Sequence, residues 1–407
     1  MITGIGAVTP VGNDRESSWD AIVAGRSGIA RVTAFDPTGM ATQFAGEVRG
    51  FQPSEHFDAK RAKRISRFTA FAVVAAREAV TDAKLRVDRD NRDRVGVVVN
   101  AAVAGFDTIE AATRRVVADS EPSSYFVPYS LANMASCEVA IDLGVHGPVN
   151  ANVLACASGL YALLDARRLI LTGEADVVVC GGTDSAIAPV FMNGLASMGA
   201  LSQRNDDPAG ASRPFDAGRD GFVLGEGSVV MVLESAAHAR RRGATPYATV
   251  SGGALTCDAF HVSAPSPTGE HTTAAIRTAV RRAGTAPEDI DYVCAHGTST
   301  KANDSTETKA LRTALGAAVD RIPVSSPKST TGHLLAGAGA LSAMVCALAI
   351  RDGIVPPTTN LDTPDPECDL DYVPHVARRL PVRTAMANAF GFGGQNCVAV
   401  FTAPDRL

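Results

Sequence analysis

Short apolar runs rich in β-branched residues alternate along this chain with longer, Ala-rich segments whose apolar positions recur with a helical period. The first pattern predicts buried strands and the second predicts helices, so their alternation indicates an α/β fold. The expected strands are 95–100, 177–180, 248–251 and 292–295, and the expected helices are 159–172, 274–283 and 335–351.

The most clearly marked helix follows Cys156. Gly173 is placed to end it, because glycine readily adopts the left-handed conformation found after helix C-termini. Its buried face is expected to be an apolar stripe formed by Leu160, Leu163, Leu164, Ala166 and Ile170. We therefore expect this helix to be largely buried.

The two parts of the chain resemble each other, since 175–182 and 387–394 both pair a strand-like run with a Gly-rich corner. This likeness indicates an old duplication. The basic run 240–243 and Pro246 precede a new predicted strand, which places the best internal boundary there. We expect one half over residues 1–245 and the other over 246–407.

Composition narrows the classes of function. The 407 residues are 46% hydrophobic and carry a net charge of -5, so the chain lacks the positive field that nucleic-acid binding usually requires. The longest apolar runs fall far short of the roughly 20 residues that span a membrane. No basic segment precedes the first apolar residues, so we expect a soluble, cytoplasmic protein without nucleic-acid or membrane partners.

Cysteine spacing and glycine spacing predict neither a metal nor a nucleotide cofactor. The eight cysteines include no C-x-x-C pair, which disfavours zinc and thioredoxin-type sites. The segment 3–6 lacks the third glycine of a dinucleotide loop, and no phosphate-binding P-loop motif occurs. Four cysteines lie in apolar runs and are expected to be buried thiols: Cys180, Cys294, Cys346 and Cys397.

Cys156 is the candidate nucleophile, because it lies between an extended apolar stretch and the start of the marked helix. A helix N-terminus is expected to lower the pKa of a thiol and so to favour the reactive thiolate. The small neighbours Ala155, Ala157 and Gly159 leave room for a substrate. The competing interpretation is a buried, unreactive cysteine, which is the commoner case for an arbitrary cysteine.

Two histidines lie in similar corners rich in glycine and threonine. His296 follows the predicted strand 292–295, and His333 precedes the predicted helix 335–351. Open α/β folds place their sites at such strand ends. Either histidine alone would more often be a core or solvated residue, but the pair favours a shared site.

Such a set of residues suits the decarboxylation of a malonyl thioester. Two imidazoles can donate hydrogen bonds to the enolate oxygen, and a thiolate can hold the acyl chain covalently. The backbone N–H groups of Cys156 and of the turn 390–394 could stabilise the oxyanion of the acyl-transfer step.

Lys328 and two acidic residues have two interpretations each. Lys328 is either a solvated lysine or a buried cation paired with Asp304 or Glu307. The acids could equally cap a helix, with Asp304 as N-cap and Glu307 at the third helical position. The segment 60–67 carries five positive charges on a predicted helix, which indicates a solvated face or a docking site for an acidic partner.

Four motifs resemble the β-ketoacyl-ACP synthase family of the thiolase superfamily: 155–159, 212–216 with 221–227, 295–300, and 328–333. The resemblance runs through almost the entire chain. It implies a five-layered αβαβα thiolase-like fold built from two similar halves, normally dimeric. It also implies substrates carried on the phosphopantetheine of an acyl carrier protein, with no other cofactor and no metal.

The resemblance assigns roles by motif position. Cys156 becomes the acyl-accepting nucleophile, His296 and His333 the decarboxylation pair, and Lys328 the supporting cation, with Asp304 and Glu307 nearby. The amides of Cys156 and Phe392 become the oxyanion hole, and Phe392 the gate of the acyl pocket. The carrier-protein docking site is expected at Lys63, Arg64, Arg67 and Arg204.

Within the family the chain resembles the elongating synthases of type II systems. It departs from many of them at Ala157 and at Ser342, which stands nine residues after His333. These departures favour type II polyketide biosynthesis, with housekeeping fatty-acid elongation as the alternative. The partner in the dimer is expected to be a second copy or a homologous chain-length-factor subunit.

Two further alternatives remain. A non-catalytic subunit similar to a chain-length factor would not need Cys156, whereas a thiolase-type enzyme acting on coenzyme A esters would need a second cysteine such as Cys397.

Overall fold

A computed structural model describes residues 1–404 of the chain, which fold around two five-stranded sheets. The strands of the first half are β1 (Ile2–Val8), β2 (Ile29–Arg31), β3 (Phe44–Gly46), β4 (Val95–Asn100), β5 (Val149–Asn150), β6 (Val177–Asp184) and β7 (Gly227–Glu234). Those of the second half are β8 (Thr249–Cys257), β9 (Tyr292–Cys294), β10 (Val324–Ser325), β11 (Ile354–Val355), β12 (Arg378–Arg379), β13 (Thr384–Gly391) and β14 (Gln395–Thr402).

The two large sheets share one topology. The first runs in the order β1-β7-β6-β4-β5 and the second in the order β8-β14-β13-β9-β10. In both orders, neighbouring strands among the first three are antiparallel, and neighbouring strands among the last three are parallel. Each half therefore repeats the same order and the same strand directions, which confirms the prediction of two similar halves.

Helices cover both sheets. In the first half they are α1 (Arg15–Val23), α2 (Pro53–His56), α3 (Ala59–Ala62), α4 (Arg67–Asp82), α5 (Phe106–Val117), α6 (Phe126–Ser130), α7 (Met134–Leu143), α8 (Ser158–Leu171), α9 (Pro189–Ser197) and α10 (Ala236–Arg241). In the second half they are α11 (Glu270–Ala283), α12 (Lys301–Leu315), α13 (Lys328–Thr331) and α14 (Ala336–Asp352). No helix within residues 1–404 is both long and apolar enough to cross a membrane.

The layers stack in the predicted αβαβα order. Helices α4 and α7 pack on the outer face of the first sheet, and α11 packs on the second sheet with α12 beside it. Helices α8 and α14 lie between the sheets and contact strands of both. Helix α14 is buried along 14 of its 17 residues, which explains why its Ala-rich sequence carries no polar face.

The predicted elements agree with the structure except at the basic segment. The strand 95–100 is β4, and the predicted helix after Cys156 is α8, followed by Gly173 with a φ of 77°. The segment 60–67, predicted as helical, instead divides into α3, a turn, and the start of α4. Asp58 caps the short helix α3, and the like charges that follow disfavour a continuous helix.

The central helices α8 and α14 approach closely at their N-termini. A methyl group at Gly159 or at Gly182 would overlap the carbonyl oxygen of Ala336, and one at Gly339 would overlap the backbone nitrogen of Leu160. Gly159 and Gly339 therefore let the two helix backbones come into contact, and Gly182 lets strand β6 approach the start of α14, since any side chain there would separate them.

A methyl group at this crossing should destabilise the protein. We expect Gly159→Ala to lower the free energy of unfolding by about 1–3 kcal/mol, because the added carbon has no space. Gly194, in helix α9, has nothing within 4 Å of an added Cβ, so Gly194→Ala should raise it by about 0.5–1 kcal/mol. Denaturant unfolding measures the free energy of unfolding of both variants. A Gly159→Ala protein as stable as the Gly194→Ala control would contradict the close approach of α8 and α14.

Candidate active site

A cavity of about 350 Å³ lies between the two halves and brings the predicted site residues together. Cys156, His296, His333 and Phe392 all line it. Lys328 is buried behind the lining, at 2% exposure. Part of the wall is apolar, and it is formed by Ala102, Val103, Phe191, Leu195, Met198, Ala200, Phe222 and Leu335.

Cys156 lies on a sharp turn between β5 and α8. The turn 155–157 is 3₁₀-helical, and Ala155 has a φ of 47°, a conformation that is unfavourable for a residue with a side chain. The Ser158 hydroxyl stabilises the turn, since it accepts a hydrogen bond from the Leu154 nitrogen (2.8 Å) and donates one to the Ala155 carbonyl oxygen (2.7 Å). The predicted strand-to-helix corner is thus present, with the thiol at its apex.

The expectation of a lowered thiol pKa was wrong. Burial raises the pKa of Cys156 to about 11, and Asp184 contributes in the same direction. The positive charge of Lys328 and hydrogen bonds from the backbone N–H groups of Phe392 and of Cys156 itself oppose this rise. The thiol is only 8% exposed, so the loss of solvation outweighs the helix terminus.

Two backbone N–H groups, those of Cys156 and Phe392, point towards the sulfur. Gly391 permits this approach, because a Cβ there would lie 2.6 Å from the Leu154 carbonyl oxygen. The Phe392 side chain is 39% exposed. Its turn is tied to the loop after β8, since Gly393 donates a hydrogen bond to the Val262 carbonyl oxygen (2.9 Å).

The two histidine rings meet edge to face, with centroids 5.5 Å apart at 82°. His333 Nδ1 accepts a hydrogen bond from the Leu335 backbone nitrogen (3.1 Å), so in the neutral ring the hydrogen resides on Nε2. Burial lowers the pKa of both rings well below the usual histidine value, and Lys328 adds to this effect. Both rings are therefore neutral at neutral pH, and each can donate one hydrogen bond.

Lys328 holds the His296 segment through a backbone contact. Its Nζ donates to the His296 carbonyl oxygen (2.6 Å), and within residues 1–404 no carboxylate lies within 4 Å of that nitrogen. Lys328 is buried as expected but makes no direct ion pair with Asp304 or Glu307, whose charges nevertheless act to raise its pKa. Burial lowers the pKa of Lys328 as well.

The acidic residues do not cap a helix. Helix α12 begins at Lys301, which leaves Asp304 and Glu307 inside it. The Glu307 carboxylate accepts hydrogen bonds from the backbone nitrogens of His296 and Gly297, both at 2.8 Å. Both acids are buried, and they bind backbone that would otherwise lack partners in the loop after β9.

The predicted docking residues differ in their surroundings. Lys63 is exposed, and the Arg64 guanidinium stacks 4.2 Å from the centre of the Tyr125 ring. Arg204 donates to the Gly218 carbonyl oxygen (3.1 Å). Arg67 turns inward and pairs with the buried Glu226 carboxylate (2.7 Å), so its charge is already neutralised within the fold.

Sequence reasoning missed three residues of the site. Phe222 packs against His333 at 5.4 Å between ring centres, and Phe390 packs against His296 at 5.5 Å. Asp184, at the end of β6, binds backbone on two sides of the cavity. An isolated aspartate after an apolar run gives no signal of this role, because its partners are backbone groups distant in sequence.

Comparison with known proteins decides the family. The N-terminal domain model of β-ketoacyl synthases matches residues 1–239, and the C-terminal domain model matches residues 247–362. The chain belongs to the β-ketoacyl synthase family. Within residues 1–404 of this ketosynthase, no group of three or more His, Cys, Asp or Glu side chains could hold a metal ion.

Curated relatives match nearly the full length. The ketosynthase is 48% identical over 404 residues to 3-oxoacyl-[acyl-carrier-protein] synthase 2 of Synechocystis sp., covering 98% of this chain and 97% of the relative. The enzyme of the same name from Staphylococcus aureus is 43% identical, with 98% and 100% covered. The chain is accordingly an acyltransferase of the ketosynthase type.

Solved structures of polyketide ketosynthases are also similar. The ishigamide ketosynthase/chain length factor superposes with a TM-score of 0.92 at 34% identity, covering 99% of this chain and 98% of that one. A type II polyketide acyl carrier protein in complex with its ketosynthase bound to the hexaketide, AntDE:AntF, gives a TM-score of 0.91 at 32% identity, with 99% and 98% covered.

The raised thiol pKa predicts how Cys156 reacts with iodoacetamide. Alkylation should be slow at pH 7 and should accelerate up to about pH 11, because only the thiolate reacts. Lys328→Met removes a charge that lowers the pKa, so alkylation at pH 8 should slow, about tenfold for a rise of one in the pKa. Exposed Lys301 provides the control Lys301→Met, and mass spectrometry of the modified peptide reports the rate. Equal alkylation rates for both variants would contradict the role of Lys328 in lowering the pKa of the Cys156 thiol.

Proposed function

We propose that this ketosynthase condenses an acyl chain held on Cys156 with a malonyl thioester that loses carbon dioxide. The observation that supports this most strongly is the convergence of one thiol, two neutral imidazoles and two backbone N–H donors on a single cavity. The thiol can hold the acyl chain covalently, and the imidazoles can stabilise the enolate.

In the first step the Cys156 sulfur attacks the carbonyl carbon of an incoming acyl thioester. The oxygen of the tetrahedral intermediate then accepts hydrogen bonds from the N–H groups of Cys156 and Phe392, which already face the sulfur. The carrier thiolate leaves and takes up the proton that Cys156 gave up. The chain is then bound to the enzyme as a thioester.

In the second step the malonyl carboxylate leaves as carbon dioxide, and its electron pair forms the enolate of the thioester. His296 and His333 each donate a hydrogen bond to the enolate oxygen, because both rings are neutral in this buried site. The carbanion attacks the acyl carbonyl carbon, the Cys156 thiolate leaves, and a 3-oxoacyl thioester results. Lys328 supports the step by fixing the His296 backbone and by its positive charge.

The thioesters are proposed to arrive on an acyl carrier protein, as the name of the relatives and the AntDE:AntF complex indicate for those proteins. The carrier's phosphopantetheine would supply the thiol, with no further cofactor. We retain Lys63, Arg64 and Arg204 as docking residues for the acidic carrier. Arg67 is removed from this set, since Glu226 already binds its guanidinium.

Straight-chain fatty-acid elongation is the pathway we favour. Identity to the two 3-oxoacyl-[acyl-carrier-protein] synthases is 43–48%, against 32–34% for the polyketide ketosynthases. Type II polyketide assembly remains the second candidate, because both polyketide structures superpose over 99% of the chain.

A dimer is also proposed, formed by a second copy of the chain. Strand β5 is the edge of the first sheet and exposes Val149. Two further exposed apolar side chains lie nearby, Val153 after β5 and Ile141 in α7. Two β5 strands around a two-fold axis would satisfy the unpaired edge of both copies.

Light scattering of the purified protein should give the mass of two chains. A protein that is monomeric alone and gains mass only when a homologous subunit is added would favour the heterodimer.

Incubation with acyl-loaded and malonyl-loaded carrier protein tests the function. We expect an acyl adduct on Cys156, release of carbon dioxide and a 3-oxoacyl product, whereas Cys156→Ala should give no adduct and no product. Intact-mass spectrometry measures the adduct, and Cys257→Ala, at an exposed cysteine, is the matched control.

The kind of acyl chain supplied to Cys156 distinguishes the two pathways in the same assay. Fatty-acid elongation predicts condensation with saturated acyl chains and poor use of 3-oxoacyl chains, while polyketide assembly predicts repeated extension of 3-oxoacyl chains. Product formed by Cys156→Ala at the wild-type rate would rule out Cys156 as the nucleophile. A wild-type protein that gives no adduct and no product, even with a homologous subunit supplied, would favour a non-catalytic role for this chain.

A further inference from the structure

We propose that Asp184 is a positioning residue. Its carboxylate fixes the cavity wall at residues 102–104, here called the acyl wall, relative to the corner that follows His333. The proposal rests on the proposed function of the same cavity and adds to it a physical link between acyl binding and decarboxylation. Asp184 itself does not line the cavity.

The Asp184 carboxylate is fully buried and binds only backbone N–H groups within residues 1–404. One oxygen accepts hydrogen bonds from Val103 and Ala104, both at 3.0 Å. The other accepts from Ala102 at 3.0 Å and from Ala336 at 2.8 Å. Buried carboxylates usually pair with a cation, so four backbone donors mark a carboxylate that fixes main chain.

The first segment held by Asp184 is the acyl wall. Ala102 and Val103 line the cavity, and Ala104 has a φ of 54°. A residue with a side chain in this conformation costs about 1–3 kcal/mol and persists only where its surroundings hold it. Asp184 supplies that hold through three consecutive N–H groups.

The second segment is the corner after His333. Leu335 has a φ of 52°, and helix α14 begins at the next residue, Ala336, whose nitrogen donates to Asp184. The Leu335 nitrogen donates in turn to His333 Nδ1 at 3.1 Å, which orients the ring and fixes the hydrogen on Nε2. A shift of Ala336 would therefore turn the imidazole away from the enolate.

One rigid carboxylate thus bridges two strained corners. A displacement of Val103 by a bound acyl chain can reach His333 through the Asp184 carboxylate, the backbone between Ala336 and Leu335, and the hydrogen bond from the Leu335 nitrogen. Burial raises the pKa of Asp184 to about 6, so the group is ionised at neutral pH. Its charge disfavours the Cys156 thiolate, so Asp184 does not act by activating the thiol.

Asp184→Asn tests the link, because an amide keeps one acceptor oxygen and loses the other. We expect carbon dioxide release to fall about 10- to 100-fold, since small misplacements of a reacting group have effects of this size. Acylation of Cys156 by a short acyl carrier should fall less than about threefold on the same ground, because it does not use His333. Discrimination between short and long acyl chains should weaken.

The matched control is Glu47→Gln. Glu47 is a buried carboxylate that accepts hydrogen bonds from the backbone of Thr33 (3.0 Å) and Ala34 (2.9 Å), away from the catalytic cavity. Its loss should leave the ratio of decarboxylation to acylation unchanged. If Asp184→Asn matches Glu47→Gln in this ratio, the proposal is wrong. A wild-type protein that forms no adduct would instead overturn the proposed function.

A second variant covers the case in which Asp184→Asn does not fold. Ala104→Gly relaxes the acyl wall without strain, because glycine accepts a positive φ. Ala104 does not contact His333, so a fall in carbon dioxide release from short acyl chains is expected only if the wall and the corner are linked. A change confined to chain-length discrimination would contradict the link.

Discussion

The contact between the central helices α8 and α14 is the constraint on which the rest of this structure depends. Gly159 of α8 and Gly182 of β6 leave room for the Ala336 carbonyl oxygen, and Gly339 of α14 leaves room for the Leu160 backbone. Because Cys156 precedes one helix and His333 the other, this contact sets their separation. The duplicated topology explains the arrangement, since the corner before α8 in the first half and the corner before α14 in the second half face the same cavity.

Burial then determines the electrostatics of the site. It lowers the pKa of both histidines, which keeps them neutral hydrogen-bond donors, and it raises the pKa of the Cys156 thiol. The same burial therefore favours the enolate step and disfavours the thiolate. Lys328 counters the second effect, because its charge favours the thiolate while further disfavouring protonated histidine.

Much of the fold and site was predictable from the sequence because it rests on local patterns. Strand β4, helix α8 and the corners at Cys156 and His333 follow from periodicity, glycine and small residues. The thiol pKa was predicted wrongly, since helix position is local but burial depends on both halves of the chain. The partners of Arg67 and Asp184 were missed for the same reason, because they lie far away in sequence.

The division of labour between Cys156 and the two histidines is tested most directly by separating the two half-reactions with His333→Ala and His296→Ala. Both variants would be incubated with acyl-loaded and malonyl-loaded carrier protein, and the Cys156 adduct and carbon dioxide would be followed in parallel. We expect an acyl adduct close to the wild-type level and carbon dioxide release reduced at least about 100-fold, the scale of losing a preorganised donor. Carbon dioxide release at the wild-type rate in both variants would contradict this division of labour.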